Sequence, residues 1–272
     1  MTFSSFGRAT TKRLATIMLV SCAYVLPASA ERMDDEKAPS GASILQHEDK
    51  GREFQPPEEH ARNLEAIEAH LEKHIGPIDT VFHEIVSDLI HLDVLYIPPT
   101  PERPYTVLAT SGVSDLPMSV PEGLEDRART ELLIVLPEDW RLTEEAFEDD
   151  ANYWPVRWLK SVGRLPHEYD TWLGWGHTIP NGHPPEPIAD TDFIGVMVTL
   201  PYWLDPSFAQ VKAENGDVIN FYELVPLYAE EMDLKLAEGA EALEQRFDAN
   251  DIGFVLDVNR PNVAKRKGRS RK

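Results

Sequence analysis

Four of the six tryptophans in this chain lie within one stretch, residues 154–182. A tryptophan side chain buries a large apolar area and carries an N–H group that needs a hydrogen-bond partner. Four of them so close together require either a packed corner of the core or a binding surface. The apolar spacing from Pro155 predicts a helix that ends at Pro166. We interpret residues 167–175 as a turn that leads into a strand, and the Gly- and Asn-rich residues that follow as a loop.

Two nearly continuous apolar runs predict strands that are buried on both faces, ELLIVL at residues 131–136 and FIGVMVTL at residues 193–200. Shorter apolar runs predict further strands at residues 80–86, 89–97, 105–110, 211–213 and 218–222. The last two flank an Asn-Gly pair, which is a strong signal for a hairpin turn.

Helices are predicted on both sides of these strands. Apolar residues recur at helical spacing from Leu64 to Ile75, before a Gly-Pro pair. A second apolar stripe over residues 229–247 is interrupted by Gly239 and predicts two helices, and residues 252–258 form a last short element. The pattern predicts the α+β class, with a single domain that contains a mixed, mostly antiparallel sheet flanked by helices.

The net charge of −21 is unevenly distributed along the chain. Residues 1–30 contribute +3 and residues 265–272 contribute +6, so residues 31–264 carry −30. Such an acidic body repels nucleic acid and anionic membranes, whereas it suits a basic partner protein or simple solubility, which is the commoner reason. The single cysteine, Cys22, excludes an internal disulfide framework and a cysteine-based zinc site.

Both termini are predicted to lie outside the domain, which we place at residues 58–262. Basic residues, an apolar run and an Ala-Ser-Ala sequence give residues 1–30 the layout of a secretory signal peptide, too short for a membrane anchor. This interpretation predicts that the protein is exported. If translation starts at Met33 instead, the protein is predicted to be cytoplasmic. Residues 31–57 are predicted to be a flexible polar leader, and residues 263–272 a disordered basic tail.

Histidines near the tryptophan-rich stretch are the first candidates for chemistry. His167, Glu168 and His177 lack the one-turn spacing of a zinc-binding H-E-x-x-H helix. We therefore predict no metal and no cofactor. The alternative function is an exported hydrolase or a small-ligand-binding protein that uses the region from His167 to His177.

A second polar group lies on a predicted strand, where His91 and Asp93 share one face. They could pair with His83 or Glu84, although polar alternation on a solvent-facing strand explains them as well. The loop TSGVSD contains serines and an aspartate, but nothing in the sequence brings a histidine base to them. Nucleotide-binding and nucleophile-elbow motifs are absent from the sequence.

Several long blocks of this sequence resemble the bacterial branch of the suppressor of fused (SUFU) domain family, in the order that the family has them. They are FHEIVSDLIHLDV, RPYTVLATSGVSDLPMSVPEG, ELLIVLPEDW, WPVRWLKSVGRLPHEYDTWLGWGHTIPNG and VINFYELVPLYAEEMDLKLAEGAEAL. The resemblance implies an α+β domain without catalytic activity. Animal members sequester a transcription factor, and bacterial members are associated with polymorphic toxin systems as immunity proteins. It therefore implies a non-enzymatic protein that binds a protein partner, with a basic toxin as the candidate.

Two loops, residues 110–123 and 172–182, are predicted to form part of the partner surface, because loops on a rigid scaffold often carry function. We expect the two loops to lie near each other. The candidate partner-binding residues are Asp115, Trp175, His177 and Asn181. In the alternative interpretation Trp175 packs in the core, while His177 and Asn181 hydrogen-bond the turn.

Overall fold

The computed structural model describes residues 17–21, 36–47, 53–57 and 61–265. The strands are β1 (Ile17–Ser21), β2 (Glu36–Lys37), β3 (Ser43–His47), β4 (Thr80–Phe82), β5 (Asp93–Ile97), β6 (Tyr105–Ser111), β7 (Thr130–Pro137), β8 (Thr178–Pro180), β9 (Gly195–Thr199), β10 (Gln210–Lys212) and β11 (Val218–Leu227). The helices are α1 (Leu64–His74), α2 (Asp150–Glu168), α3 (Ala229–Glu238) and α4 (Ala240–Ala249). Within these ranges, no helix combines the length and the apolar character that a membrane crossing requires.

All described strands belong to one sheet, in the order β2-β3-β1-β8-β9-β11-β7-β6-β5-β4, with β10 paired to β11. Strands β7 and β11 are parallel, with Glu131 opposite Phe221, and the other pairs of described strands are antiparallel. The predicted α+β class and mixed, mostly antiparallel sheet are thereby confirmed. The central position of β7 and the hairpin of β10 and β11 also agree with the sequence patterns.

Helices cover the two faces of the sheet differently. Helix α2 packs on one face over a single large apolar cluster that reaches from β5 to β9. On the opposite face, α1 packs over β5, β6 and β7, whereas α3 and α4 pack over β9 and the end of β11. Alternation along β9 produces this division, since Val196 and Val198 join the α2 cluster and Met197 joins the α3–α4 cluster.

Helix α2 is longer than the apolar spacing predicts. It begins at Asp150 because the Asp149 carboxylate caps it, accepting the Ala151 N–H at 3.0 Å. Pro155 consequently lies inside the helix, and the helix continues past Pro166 to Glu168. The prediction that Pro155 starts the helix and Pro166 ends it was wrong, as was the strand expected over residues 167–175, where the helix ends and irregular chain follows.

Two glycines let α2 and the chain after β6 approach the sheet closely. A Cβ atom on Gly163 of α2 would lie 2.7 Å from Val113 Cγ2 and 2.8 Å from Leu92 Cδ1. A Cβ atom on Gly112 would lie 1.9 Å from the His91 carbonyl oxygen, and Gly112 has a φ of +111°. Only glycine fits there, because a side chain would meet both a steric clash and a disfavoured backbone conformation.

A buried ion pair fastens the residues after α4 to the start of α3. The Arg260 guanidinium contacts both carboxylate oxygens of Glu231, at 2.7 and 2.6 Å. It also lies 4.9–5.2 Å from the ring centres of Phe193, Tyr228 and Phe247. The Tyr228 hydroxyl in turn donates to the Arg260 carbonyl at 2.6 Å. Residues 252–258, predicted as a last short element, form no helix or strand and are tied down by single contacts such as Leu256 N–H to Val135 O.

The N-terminal predictions meet the structure only in part. Strands β2 and β3 form a hairpin inside the range expected to be a flexible leader, and Ile44 of β3 is buried. Strand β1, inside the expected signal peptide, pairs with β3 and β8. Residues 1–16, 22–30 and 266–272 lie outside the described residues, so the signal peptide, the start site and most of the basic tail stay predictions.

Candidate functional site

An open groove of about 720 Å³ lies between the α1 cluster and helix α4. It is on the face of the sheet that α1 and the α3–α4 pair share, which we call the divided face. The floor of the groove is formed by residues of β9 and β11. The lining residues are Met197, Thr199, Leu200, Tyr202, Trp203, Glu223, Val225, Glu244, Phe247, Asp248, Ile252, Gly253 and Phe254. We call this feature the aromatic groove.

One wall of the aromatic groove is a cluster of three rings. Trp203 and Phe254 stack with their ring centres 4.9 Å apart and an angle of 13° between the rings. Tyr105 meets both of them edge-on, at 5.5 and 5.1 Å. Tyr202, next to this wall, is 64% exposed. Large aromatic surface that stays in contact with solvent is typical of binding sites, because it offers apolar area at little cost in side-chain entropy.

The floor of the aromatic groove contains a buried carboxyl group, Glu223 of β11. Its Oε2 accepts a hydrogen bond from Trp203 Nε1 at 2.9 Å. Burial raises the pKa of Glu223 to about 8, and the Trp203 hydrogen bond opposes that rise. Glu223 is therefore mostly protonated at neutral pH and presents a hydroxyl donor at the floor of the groove.

Trp175 connects the tryptophan-rich stretch to the other wall. Its Nε1 donates to Glu244 Oε1 of α4 at 2.9 Å, and the Thr199 hydroxyl donates to the same oxygen at 2.7 Å. Burial raises the pKa of Glu244, while these two hydrogen bonds lower it. Trp175 is half-buried and also lines a smaller depression of about 370 Å³ that shares Leu200 with the aromatic groove. Trp175 is thus the predicted candidate that the structure links to a cavity.

The two predicted loops do lie against each other. Ser119 N–H donates to the Thr171 carbonyl at 3.0 Å, and Leu173 N–H approaches Met118 Sδ at 3.4 Å. Asp115, however, is only 3% exposed. Burial raises the pKa of Asp115, and the backbone N–H groups of residues 61–63, ahead of α1, oppose this rise. In this structure a partner cannot reach the Asp115 side chain from solvent.

A buried polar network centred on Glu131 organises the turn after β6, next to the buried Asp115. Glu131 of β7 accepts from Gly112 N–H at 3.1 Å and from Ser114 N–H at 2.9 Å, both through Oε1. Its Oε2 accepts from the Thr110 hydroxyl at 2.6 Å. Burial raises the pKa of Glu131 to about 7, and the charge of Asp115 adds to that rise. The network fixes the TSGVSD loop, and sequence reasoning missed it because Glu131 opens an apolar run.

His177 and Asn181 differ in how well they fit the alternative interpretation, in which both hydrogen-bond the turn. His177 is 1% exposed and its ring meets Trp172 edge-on at 4.5 Å. Burial, and then the charge of Lys235, lower the pKa of His177 to about 3, so the ring stays neutral. The Asn181 side-chain amide donates to the carbonyls of Glu186 and Pro187, both at 2.9 Å. Asn181 therefore hydrogen-bonds its turn, whereas His177 is held by packing, with no hydrogen bond to either ring nitrogen among the described residues. The role of both residues in partner binding stays a prediction.

The hydrolase alternative depends on His167, whose Nε2 lies 3.0 Å from the Val113 carbonyl oxygen. Burial lowers the pKa of His167, and this hydrogen bond opposes the change. His167 Nε2 is thus engaged with a backbone carbonyl, and the His177 side chain is buried away from solvent. Neither histidine lines the aromatic groove.

Comparison with known proteins shows which family this chain resembles. The family model of the suppressor of fused protein matches residues 88–261. The uncharacterized protein UU111 of Ureaplasma parvum is 23% identical over 209 residues, which cover 75% of this chain and 97% of that protein.

Three solved structures resemble the fold of this chain. A SUFU homologue from Neisseria gonorrhoeae matches with a TM-score of 0.50 at 19% identity, covering 74% of this chain and 94% of that one. A chain of the Sufu-Fu complex matches with a TM-score of 0.52 at 16% identity, covering 77% and 93%. Drosophila Suppressor of Fused matches with a TM-score of 0.50 at 17% identity, and the match covers 78% of this chain but 52% of the Drosophila chain. Because the family model matches more than half of its residues, this chain belongs to the suppressor of fused family.

Proposed function

We propose that this protein binds a basic protein partner in the aromatic groove and sequesters it, as an immunity protein holds a toxin, without catalysing a reaction. The observation that carries the proposal is the groove itself, an open volume of about 720 Å³ with exposed aromatic side chains beside it. Aromatic residues set in such clefts are the usual anchors of protein interfaces.

The charge of the groove supports a basic partner. Asp248 lies exposed at its α4 wall, and Glu244 lies half-buried beside it. Residues 31–264 carry −30, so a positively charged partner is attracted before contact. The segment that fits is one with an apolar or aromatic side chain for the ring wall and a Lys or Arg next to it for Asp248.

Membership of the family supports protein binding, since a related chain of similar fold is found in a complex named Sufu-Fu. The proposal of an immunity role is more specific than the protein binding that this likeness supports. It rests on the resemblance to bacterial members and on the acidic charge of the body. Sequestration requires only that the groove covers a surface that the partner needs for its own activity.

The test begins with capture of a partner by the purified chain from the native host, followed by titration of the identified partner. Tyr202→Ala removes an exposed ring from the groove, and Phe54→Ala removes a ring of similar exposure, 61%, outside it. We expect Tyr202→Ala to weaken binding by about 2 kcal/mol or more and Phe54→Ala to leave it unchanged. Equal affinities for both variants would exclude the groove as the binding site.

Ionic strength separates the electrostatic part of the proposal from the aromatic part. If the acidic body steers a basic partner, the association rate falls as salt is added, whereas the dissociation rate changes less. Stopped-flow association at two salt concentrations measures this. An association rate that does not depend on salt would remove the basic partner from the proposal and leave aromatic contacts alone.

A further inference from the structure

The turn between β4 and β5 brings two histidines and one aspartate together. His83 Nδ1 lies 2.9 Å from Asp93 Oδ2, and His91 Nε2 lies 3.2 Å from Asp93 Oδ1. One ligand atom from each of the three side chains lies within 4.8 Å of the others. Two imidazole nitrogens and one carboxylate oxygen are a common donor set for divalent transition-metal ions.

Neighbouring groups hold two of these side chains in place. The Ser87 hydroxyl lies 2.7 Å from His91 Nδ1, which leaves Nε2 of the same ring directed at Asp93. The Glu84 backbone N–H donates to Asp93 Oδ1 at 2.9 Å. Such outer contacts orient the ligands of metal sites and fix the tautomer of the ligating histidine. Here they order His91 and Asp93 independently of any ion.

The neighbouring charges and the exposure of the histidines are compatible with a bound metal ion. Arg164 of α2 forms an ion pair with Glu84, so a carboxylate already balances its charge. His83 and His91 are on the solvent side, with side chains 71% and 31% exposed, which gives an ion a path to the site.

We propose that His83, His91 and Asp93 form a binding site for Zn²⁺ or a similar borderline divalent transition-metal ion. In a tetrahedral zinc site the ligand atoms lie about 3.3 Å apart, given Zn–N and Zn–O bonds of roughly 2.0–2.2 Å. The two His–Asp distances, 2.9 and 3.2 Å, are near that spacing, and all three donors lie within 4.8 Å of one another. Ca²⁺ and Mg²⁺ do not fit, because they need six or more oxygen ligands.

Occupation of the site would close the loop from His83 to His91. Two apolar side chains of that loop, Ile85 and Val86, are 97% and 72% exposed. A metal ion that joins both ends of the loop to Asp93 would therefore fix the presentation of these two side chains. The two histidines are separated by seven residues and both lie in the irregular segment between β4 and β5, so they lack the helical spacing by which a metal site is recognised in a sequence.

The experiment is a calorimetric titration of the purified, chelator-treated full chain with Zn²⁺, run in parallel on Cys22→Ser so that the lone thiol is accounted for. We expect one ion per chain in both proteins. His83→Ala should weaken binding by about 100-fold, since a three-ligand site loses one ligand. His83 is exposed, so its removal leaves the fold intact, and an unchanged melting temperature without metal checks this. The matched control is His183→Ala, which removes an exposed histidine elsewhere and should bind like the parent.

Two further measurements make the outcome decisive. Ser87→Ala removes the contact that orients His91 and should weaken binding by about 10-fold. Co²⁺ in place of Zn²⁺ should give the visible absorption of a tetrahedral ion in the parent and lose it in Asp93→Asn. Absence of stoichiometric binding, or an affinity for His83→Ala equal to that of His183→Ala, would overturn the proposal.

Discussion

The two faces of the sheet differ in how completely they are covered. On the α2 face, one helix spans the strands and closes a continuous apolar core. On the opposite face, α1 and the α3–α4 pair leave a gap between them, and the aromatic groove occupies it. Buried carboxyl groups of both parallel strands, Glu131 and Glu223, belong to this divided face. The comparison teaches that the covered face is filled by a continuous apolar core, whereas the divided face keeps buried polar groups and an open volume, which is where we propose that a partner binds.

Replacement of one tryptophan on each face tests this division most strongly. Trp154 of α2 is fully buried, and Trp203 is half-buried at the groove wall. We expect Trp154→Ala to lower the free energy of unfolding by about 3–5 kcal/mol, because it leaves a large cavity in the core. Trp203→Ala should cost less than about 2 kcal/mol, since solvent fills the space. Denaturant titration of both variants measures the difference, and equal losses would contradict the division into a stabilising and a binding face.

The pH dependence of stability probes the carboxyl groups of the divided face. The pKa of Glu223 rises from 4.5 to about 8 on folding, so the native state holds a proton that the unfolded chain has lost. The free energy of unfolding therefore falls as pH rises from about 4.5 to about 8, by at most about 1.4 kcal/mol for each pH unit from Glu223 alone. Glu131 contributes in the same direction up to about pH 7.

Glu223→Gln should remove the decline between pH 7 and 8 and keep the decline that Glu131 causes below pH 7. Glutamine keeps the size of the side chain and an acceptor for Trp203 Nε1, so the variant separates the charge from the packing. Urea titrations at several pH values give the slope. If the variant and the parent have the same slope above pH 7, Glu223 is not the group that titrates there.

Trp175→Phe tests the link between the tryptophan-rich stretch and the groove. The change keeps an aromatic ring and removes the N–H that donates to Glu244. We expect a loss of about 1 kcal/mol in the free energy of unfolding, because Thr199 still donates to that carboxyl. Partner affinity should fall as well if Trp175 supports the groove wall. Unchanged stability and unchanged affinity together would separate Trp175 from the site.

Asn181→Ala is expected to have the smallest effect. The change removes two hydrogen bonds to backbone carbonyls in an exposed turn, and we expect a loss of about 0.5–1 kcal/mol in the free energy of unfolding. Partner affinity should stay the same, because Asn181 lies outside the groove lining. A thermal melt and a titration measure both quantities, and a clear loss of affinity would return Asn181 to the partner surface.

Sequence patterns predicted those elements whose burial is uniform along their length. Each of three patterns is compatible with a single structure. They are the apolar run of β7, the helical spacing of apolar residues in α1 and the Asn-Gly turn between β10 and β11. Helix α2 was harder, because its start is set by the Asp149 cap and not by the proline that the spacing favours. The Asp149 cap lies ahead of Pro155, where the apolar spacing begins, so the periodicity of apolar residues does not reveal it.

The candidate site was less predictable because its parts are separated along the chain. The groove draws residues from β9, the segment after it, β11, α4 and the residues beyond α4. Glu223 inside the apolar strand β11 was the available signal, since a carboxyl group buried on a strand needs a partner. Asp115 and His177 were selected from loops that looked exposed. The burial of Asp115 accompanies the close approach of α2 and of the Gly112 turn to the sheet, whereas His177 packs against Trp172.

The ion pair between Glu231 and Arg260 has a consequence for the order in which the chain is made. Ribosomes synthesise Glu231 29 residues before Arg260, so the carboxylate exists for some time without the cation that balances it. During that interval α3 can dock only with the Glu231 carboxylate still hydrated, because an unpaired charge is costly to bury. The α3–α4 wall of the groove therefore reaches its final form only after Arg260 has left the exit tunnel, and a nascent chain shorter than this has no finished groove to offer a partner.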